Sequence, residues 1–519
     1  MAIYGLFDMT KIAGALHYKD SIAVVRDLDV YSTAAEAGSK YLAIKRGDGS
    51  MAYAPLVLPS DARASGIRVQ HSSGTMAVGG KIVNSMSAWK YATSGTGTGW
   101  SKGYAIIQAP NGSCYVTGCF SGTITFGSTT LTCAAGENGY IAKVNPNTGA
   151  FEGAWQTSGS PTTCPGYSIA VDAANNCYVT GYVIGTAFFG SFTVTGDNYG
   201  RAFIAKLSAA GTWEWVKLIS STGNFSYGYG VTLAPNGLLY VTGYFGVGNI
   251  TFEGAAIPGR GMNDGYVACI DTSGVWQWGK VLGGGTNDAC YKSEVDTNSN
   301  VYVTGSFSGS SVFGSTTLVS AAGVDNIFIC KLDAAGNWQW AKQATGSYSG
   351  GAGRSIRILA PDKAYVSGIF NGSAVFGSKT LTSVKQSYFV ARFDMATGNW
   401  LHAFGGNVTG DGTSASYGVA TAPESVLLTG VHSGNMTIPG LGTVPRIGAA
   451  GIFIMGVAHD SGVAKWIATG EGLLAFDMVP LTGGGGMVTG HFAPTGTFGS
   501  TVLTTTASSR MFVARADEP

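Results

Sequence analysis

Six histidines, His17, His71, His402, His432, His459 and His491, are the residues best suited to acid–base or metal chemistry. None stands at a zinc-ligand spacing from another His or a Cys, so no zinc centre is predicted. His432 and His491 both follow a Thr-Gly step, but at offsets of two and one, so they need not share a face. Two facing carboxylates could hydrolyse a glycosidic bond. No acidic residue stands out from the repeats described below. Asp296-Thr297-Asn298-Ser299-Asn300 alternates oxygen ligands like a calcium loop, yet lacks the Gly and distal Glu of one and reads as a turn. The chain has no Gly-x-Ser-x-Gly elbow and no phosphate loop. Its eight cysteines, at 114, 119, 133, 164, 177, 269, 290 and 330, include no Cys-x-x-Cys pair. They read as buried free thiols, with a Cys119–Cys133 bridge as the alternative. The sequence thus assigns no catalytic, cofactor-binding or metal-binding residue, leaves ligand-binding residues unassigned, and predicts a non-enzymatic protein without a cofactor.

The elements that would position any site come from a repeat. Tyr-Val-Thr-Gly recurs, ending at Gly118, Gly181, Gly243 and Gly305, and continues in degraded form as Tyr365-Val366-Ser367-Gly368, Leu427-Leu428-Thr429-Gly430 and Met487-Val488-Thr489-Gly490. The spacings are 63, 62, 62, 63, 62 and 60 residues. A Phe-Gly step follows in phase at Phe126, Phe189, Phe313, Phe376 and Phe498; Phe252 keeps the Phe, and the sixth copy has Ile438-Pro439. An apolar strand ending in a basic residue comes next, as in Phe203 to Lys206 and Phe328 to Lys331. Paired tryptophans follow at 213 and 215, 276 and 278, and 338 and 340.

Each copy reads as four strands. In the third copy these are Tyr229 to Leu233, Leu238 to Phe245, Gly265 to Ile270 and Val275 to Lys280. The turns fall at Pro235-Asn236-Gly237 and Asp271-Thr272-Ser273-Gly274. Trp276 and Trp278 are two apart, so they are expected on one sheet face, packed against the neighbouring blade. Radial repetition of four strands gives a β-propeller, and seven copies give seven blades. The last copy stops at Pro519 without a fourth strand, while a spare strand around Trp89 precedes the first copy. Trp89 lies 29 residues before Gly118, much as Trp213 lies 30 before Gly243. The predicted fold is all-β: a seven-bladed propeller over residues 86–519, closed by the N-terminal strand, plus a small β-rich module over 1–85.

The set Tyr-Val-Thr-Gly, Phe-Gly, Phe-Ile-Ala-Lys-Leu and Asp-Ala-Ala-Gly-Asn-Trp resembles the bacterial SBBP-type propeller repeats over roughly residues 86–519. That resemblance implies a fold and says little of function. Asp333-Ala334-Ala335-Gly336-Asn337-Trp338 also resembles the sialidase Asp-box, but with the Gly one position late and Lys331 for the leading Ser, so it reads as a structural turn. Residues 1–85 carry 16 charged residues, against 43 in the remaining 434, and show no repeat. Strands are expected at Ser21–Val25, Tyr41–Lys45 and Ser65–His71. The last returns through Ser72-Ser73-Gly74 into Thr75–Val78. Arg46-Gly47-Asp48 matches an integrin-binding tripeptide, but Gly47-Asp48-Gly49 reads as a hairpin turn. Residues 41–80 resemble short β modules of bacteriophage virion proteins.

The composition bounds the function. With 80 glycines, 30 basic and 29 acidic residues among 519, the net charge is +1, which offers nothing to nucleic acid. No 18-residue apolar run predicts a membrane span, and the first twenty residues predict no signal peptide. A low-charge, Gly- and aromatic-rich chain without an export signal suits a phage particle released by lysis. The expectation is a bacteriophage virion appendage (fibre, spike or capsid decoration), a homo-oligomer on the particle. Residues 1–85 would bind other virion proteins, and the propeller would face outward toward a host surface glycan or decorate the shell. The alternative is a bacterial cell-surface adhesion protein; a glycan-degrading propeller is a third reading.

Overall fold

A computed structural model describes residues 89–519, apart from short interruptions at 255, 322, 360–361, 406, 410–411, 423–424, 439–440, 447, 449, 460, 482–483 and 518–519. It also describes the backbone of five strands within the first 88 residues. The chain divides into two compact units, Met1–Ser85 and Met86–Pro519. The protein is all-β, with no helix among the described residues.

The first unit is an antiparallel meander of Val30–Tyr31, Lys40–Lys45, Met51–Val57, Arg68–His71 and Gly74–Ala77. Lys45 pairs with Met51 and His71 with Gly74, while the expected turn residues Ser72 and Ser73 lie outside the described residues. Met51–Val57 is a strand the sequence reading left unassigned. The expected strand at 21–25 and the Arg46-Gly47-Asp48 turn lie outside the described residues.

In the second unit the same four-strand antiparallel path recurs seven times. The third copy runs Ser226–Leu233, Leu238–Gly246, Asn263–Asp271, Trp276–Gly284. Its repeat glycine is dictated by close approach. A Cβ on Gly243 would sit 1.9 Å from the Tyr227 carbonyl oxygen, and the same contact recurs at all seven repeat glycines. The preceding Thr is fixed by a buried hydrogen bond to the third strand: Thr117, Thr180, Thr304, Thr429 and Thr489 donate to the carbonyls of Tyr140, Phe203, Phe328, Phe453 and Phe512 at 2.7–2.9 Å.

The paired tryptophans do not share a face, contrary to the expectation. Trp276 pairs with Ile270 and Trp278 with Cys269, so a bulge lies between them. Ile270 and Cys269 point to opposite sides, and the bulge sends the two indoles with them. Trp276 packs into the core shared with the second copy, and Trp278 into the core shared with the fourth. The same bulge splits Trp213 from Trp215 and Trp338 from Trp340. Strict period-2 counting fails because one residue is left unpaired.

That split organises the packing. The hydrophobic core consists of clusters, each shared by successive copies, including one that joins Met487, Met511 and Val513 to Ile106, Val116 and Phe120. The second indole reaches the next copy's turn: Trp215 Nε1 donates to Thr272 O and Trp278 Nε1 to Ala334 O. Each fourth strand, or the residues after it, also pairs with the Phe-Gly hairpin of the following copy.

Trp89–Thr93 pairs antiparallel with Arg510–Ala516, opposite Leu474–Pro480 and Gly486–Phe492 in the same sheet. The bulge is present here too, between the partners of Trp89 and Tyr91. Trp89 packs edge-on against Phe498 at 5.2 Å, as Trp213 does against Phe189 at 5.0 Å. Tyr91 takes the second-indole role, donating to Pro146 O at 2.9 Å.

Candidate functional site

The first strands of the seven copies neighbour one another in order, and Leu474–Pro480 neighbours Ser101–Gln108. Each first strand carries a bulge opposite the repeat glycine, as between Gly228 and Gly230. The extra residue at that bulge is Tyr104, Tyr167, Tyr229, Tyr291, Arg354, Tyr417 or Phe476 in turn. These side chains meet. Ring centroids lie 5.1 Å apart for Phe476–Tyr104, 4.8 Å for Tyr104–Tyr167, 5.0 Å for Tyr167–Tyr229 and 5.7 Å for Tyr229–Tyr291. Tyr417 adds to Phe476 at 5.9 Å, and the Arg354 guanidinium lies 4.4 Å over Tyr291.

A second rank of rings extends this tier over the second and third copies. Tyr182 meets Tyr167 and Tyr227, Phe225 stacks on Tyr227, and Tyr244 stacks on Tyr229. All are half-buried, and Tyr199 beside them is 60% exposed. Burial first, then the crowding of neighbouring phenols, holds the Tyr167 and Tyr229 hydroxyls well above their ordinary range. The phenols of the tier are therefore uncharged, and Arg354 brings a cation to it over Tyr291. By sequence, the paired tryptophans are assigned to packing and these tyrosines receive no surface role. The usable signal was register: the tier residue lies 14 residues before the repeat glycine in six copies and 13 in the sixth.

Behind the tier lies a cavity of about 170 Å³ between the first strands. Four charged side chains enter it: Lys292 and Glu294 from the fourth copy, Arg357 from the fifth and Asp477 from the seventh. Arg357 Nη1 donates to Glu294 Oε2 at 2.5 Å, and Lys292 Nζ lies 3.2 Å from Ser168 Oγ and 3.8 Å from Asp477 Oδ2. Asp477 Oδ2 also accepts the Ile106 amide at 3.3 Å. Burial pulls the Lys292 ammonium below its usual range, and Asp477 opposes that shift. The expectation that no acidic residue departs from the repeat is therefore wrong. Asp477 stands where other copies have Ala105, Ser168, Gly230, Ser355 or Gly418, and Glu294 where they have Ile107, Ala170, Thr232, Ala420 or Val479.

A second acidic departure is fully buried. Asp264 Oδ2 accepts the Arg260 and Gly261 amides at 2.6 and 3.1 Å. Asp288 Oδ2 accepts the Gly284 amide at 2.9 Å and Oδ1 the Ser311 hydroxyl. Burial, with the Asp264 charge adding to it, pushes Asp288 up to about 7. With relative exposures of 0% and 1%, neither carboxylate is presented to a substrate.

His17 and the side chain of His71 lie outside the described residues, and the candidates that follow are structural. Asp296 accepts the Asn298 and Asn300 amides, the Asn300 side chain and the Tyr302 hydroxyl, so its loop satisfies itself. Asp333 does the same for Ala335, Asn337 and Gln339. His432 bonds the Gly434 carbonyl, His459 lies against Tyr365, and His491 stacks on Phe476. All eight cysteines are free and buried, so Cys119 and Cys133 form no bridge. No group of three or more His, Cys, Asp or Glu suited to a metal occurs among the described residues. No described helix is long and apolar enough to cross a membrane.

No family model matches the chain, and no curated protein matches its sequence. Solved structures do resemble it in strand architecture. The RRP9 WD40 repeats superpose with a TM-score of 0.45 at 8% identity, over 83% of this chain and 99% of that one. A polysaccharide lyase of family PL25, an ulvan lyase, gives 0.43 at 13%, over 77% and 93%. The phage phi92 endosialidase gives 0.37 at 9%, over 83% and 69%.

Proposed function

We propose that residues 86–519 form a seven-bladed β-propeller closed by the strand Trp89–Thr93, and that it acts by binding rather than catalysis. Three observations support closure. The first strands neighbour one another around to the start. Thr96 bridges to Thr125 as other fourth strands reach the following hairpin. Trp89 and Tyr91 also reproduce the split aromatic pair.

The observation that carries the function is the half-buried tier of uncharged aromatic rings. Monomeric proteins rarely leave so many contiguous rings near solvent without a partner for them. Sugar rings present C–H faces of slight positive charge, which suit the negative faces of phenol rings. The tier is therefore a platform for a host surface glycan, read along the chain from the Tyr104 side toward Tyr291.

Residues 1–85 serve as the attachment module of a bacteriophage virion appendage that is a homo-oligomer on the particle. The low-charge, glycine-rich composition and the two-unit organisation support this reading. Mass spectrometry of purified particles from a producing host tests it: the chain is expected among the particle proteins, and its absence would redirect the same binding propeller to a bacterial cell surface. A host-polysaccharide array with the full chain tests recognition, expecting retention without turnover. Release of shortened oligosaccharides would make it an enzyme instead.

A further inference from the structure

We propose that the cavity behind the aromatic tier is a second binding site, for a single neutral polyol of monosaccharide size. The argument begins with the repeat. Each first strand can be built with small or apolar residues at the two register-equivalent positions, as the first, second, third and sixth copies demonstrate with Ala105 and Ile107, Ser168 and Ala170, Gly230 and Thr232, and Gly418 and Ala420. The fold does not require charge there. Taking an ion out of water is costly, and replacing a buried ion pair by apolar residues of similar volume is often neutral or stabilising. Lys292, Glu294, Arg357 and Asp477 are thus four departures from a sufficient pattern, and all four meet at one cavity.

The chemistry of the lining selects the ligand. Two cations and two carboxylates leave the site without net charge, and each cation already has an acid nearby. A charged ligand would break one pair in a medium of low dielectric. Hydroxyl groups both donate and accept, so a polyol can bridge the loose 3.8 Å gap between Lys292 and Asp477 and satisfy both. Ser168 is placed to join that network at 3.2 Å from Lys292. An apolar cavity of about 150 Å³ accepts one benzene ring, so a volume near 170 Å³ fits one small ring and not a chain. The four side chains keep between 6% and 31% exposure, so the cavity is open to solvent.

The site is independent of the tier, whose partner is an extended glycan. The full chain, in thermal-shift and calorimetric titrations with glucose, galactose, mannose, rhamnose, N-acetylglucosamine and myo-inositol, tests it. At least one is expected to raise the wild-type Tm by 2 °C or more at about 100-fold excess over Kd. The double variant Lys292→Met with Asp477→Leu is expected to keep or raise the ligand-free Tm and to lose the shift. Arg357→Gln alone gives the same reading should the double variant fail to fold: its shift is expected to fall by tenfold or more in ligand affinity. No shift with any of the six polyols overturns the proposal and leaves the four charges as a strut across the cavity. A shift retained in both variants overturns it equally.

Discussion

The periphery and the centre of the repeat unit follow opposite rules. At the periphery every copy solves one problem in one way. A bulge separates two positions of the fourth strand, and in six copies the hairpin phenylalanine packs on the ring at the first of them. At the centre the copies differ. Five bulge positions hold Tyr, one Phe and one Arg, and charges enter from only three copies. Repetition marks what the fold needs, and departure from it marks what the fold would not have required.

Breaking the periphery is expected to cost most. Removing residues 1–93 deletes the strand that pairs with Arg510–Ala516, whereas removing 1–85 leaves it in place. The longer truncation is expected to lose cooperative unfolding, and the shorter to retain it, in a calorimetric scan. Trp89→Ala should cost about 3–5 kcal/mol in denaturant unfolding, since the indole is buried and donates to the Thr469 carbonyl at 2.8 Å. Equal stability of all three proteins would dissolve the comparison, because Trp89 would then not be a peripheral position.

The second expected effect sharpens it. Asp288 stands where the first, third and sixth copies have Ser101, Ser226 and Ser414. Its folded pKa of about 7 exceeds the unfolded value of about 3.9. The folded state therefore binds the proton more tightly, and stability falls as pH rises from about 4 through 7. Asp288→Ser, restoring the repeat's own residue, should raise stability at pH 8 by about 2–4 kcal/mol and flatten that slope. Urea titrations at pH 5 and pH 8 read both.

Gly305→Ala tests the repeat glycine. Its Cβ would meet the Ala289 carbonyl oxygen at 1.9 Å, so a loss of about 1–3 kcal/mol is expected. The smallest effect concerns the thiols. Burial pushes Cys114, Cys164, Cys177 and Cys269 up to about 12, so a thiol reagent at pH 8 should label none of them before unfolding. Reductant should leave the Tm unchanged.

The sequence made the periphery legible because evenly spaced Thr-Gly, Phe-Gly and Trp signals repeat one geometry. The strands of the third copy lie within a few residues of where their alternation put them. Counting by twos misplaced the tryptophan pair, because a bulge leaves no mark in a single strand's pattern; it emerges only from pairing with Cys269 and Ile270. The tier escaped notice for a related reason. Tyr104, Tyr167, Tyr229 and Tyr291 read as ordinary strand aromatics until their common offset from the repeat glycine is counted. Lys292 and Asp477 share an offset of 13 residues from Gly305 and Gly490, but their meeting across the cavity is a tertiary fact.

The central claim is that the aromatic tier binds glycan. Its most direct test is the affinity of the full chain for host surface polysaccharide, compared with a Tyr167→Ala, Tyr229→Ala double variant whose Tm is recorded in parallel. Loss of tenfold or more in affinity with a folded variant is the predicted result. Unchanged affinity in that folded variant, or no polysaccharide binding by the wild-type chain, would contradict the account.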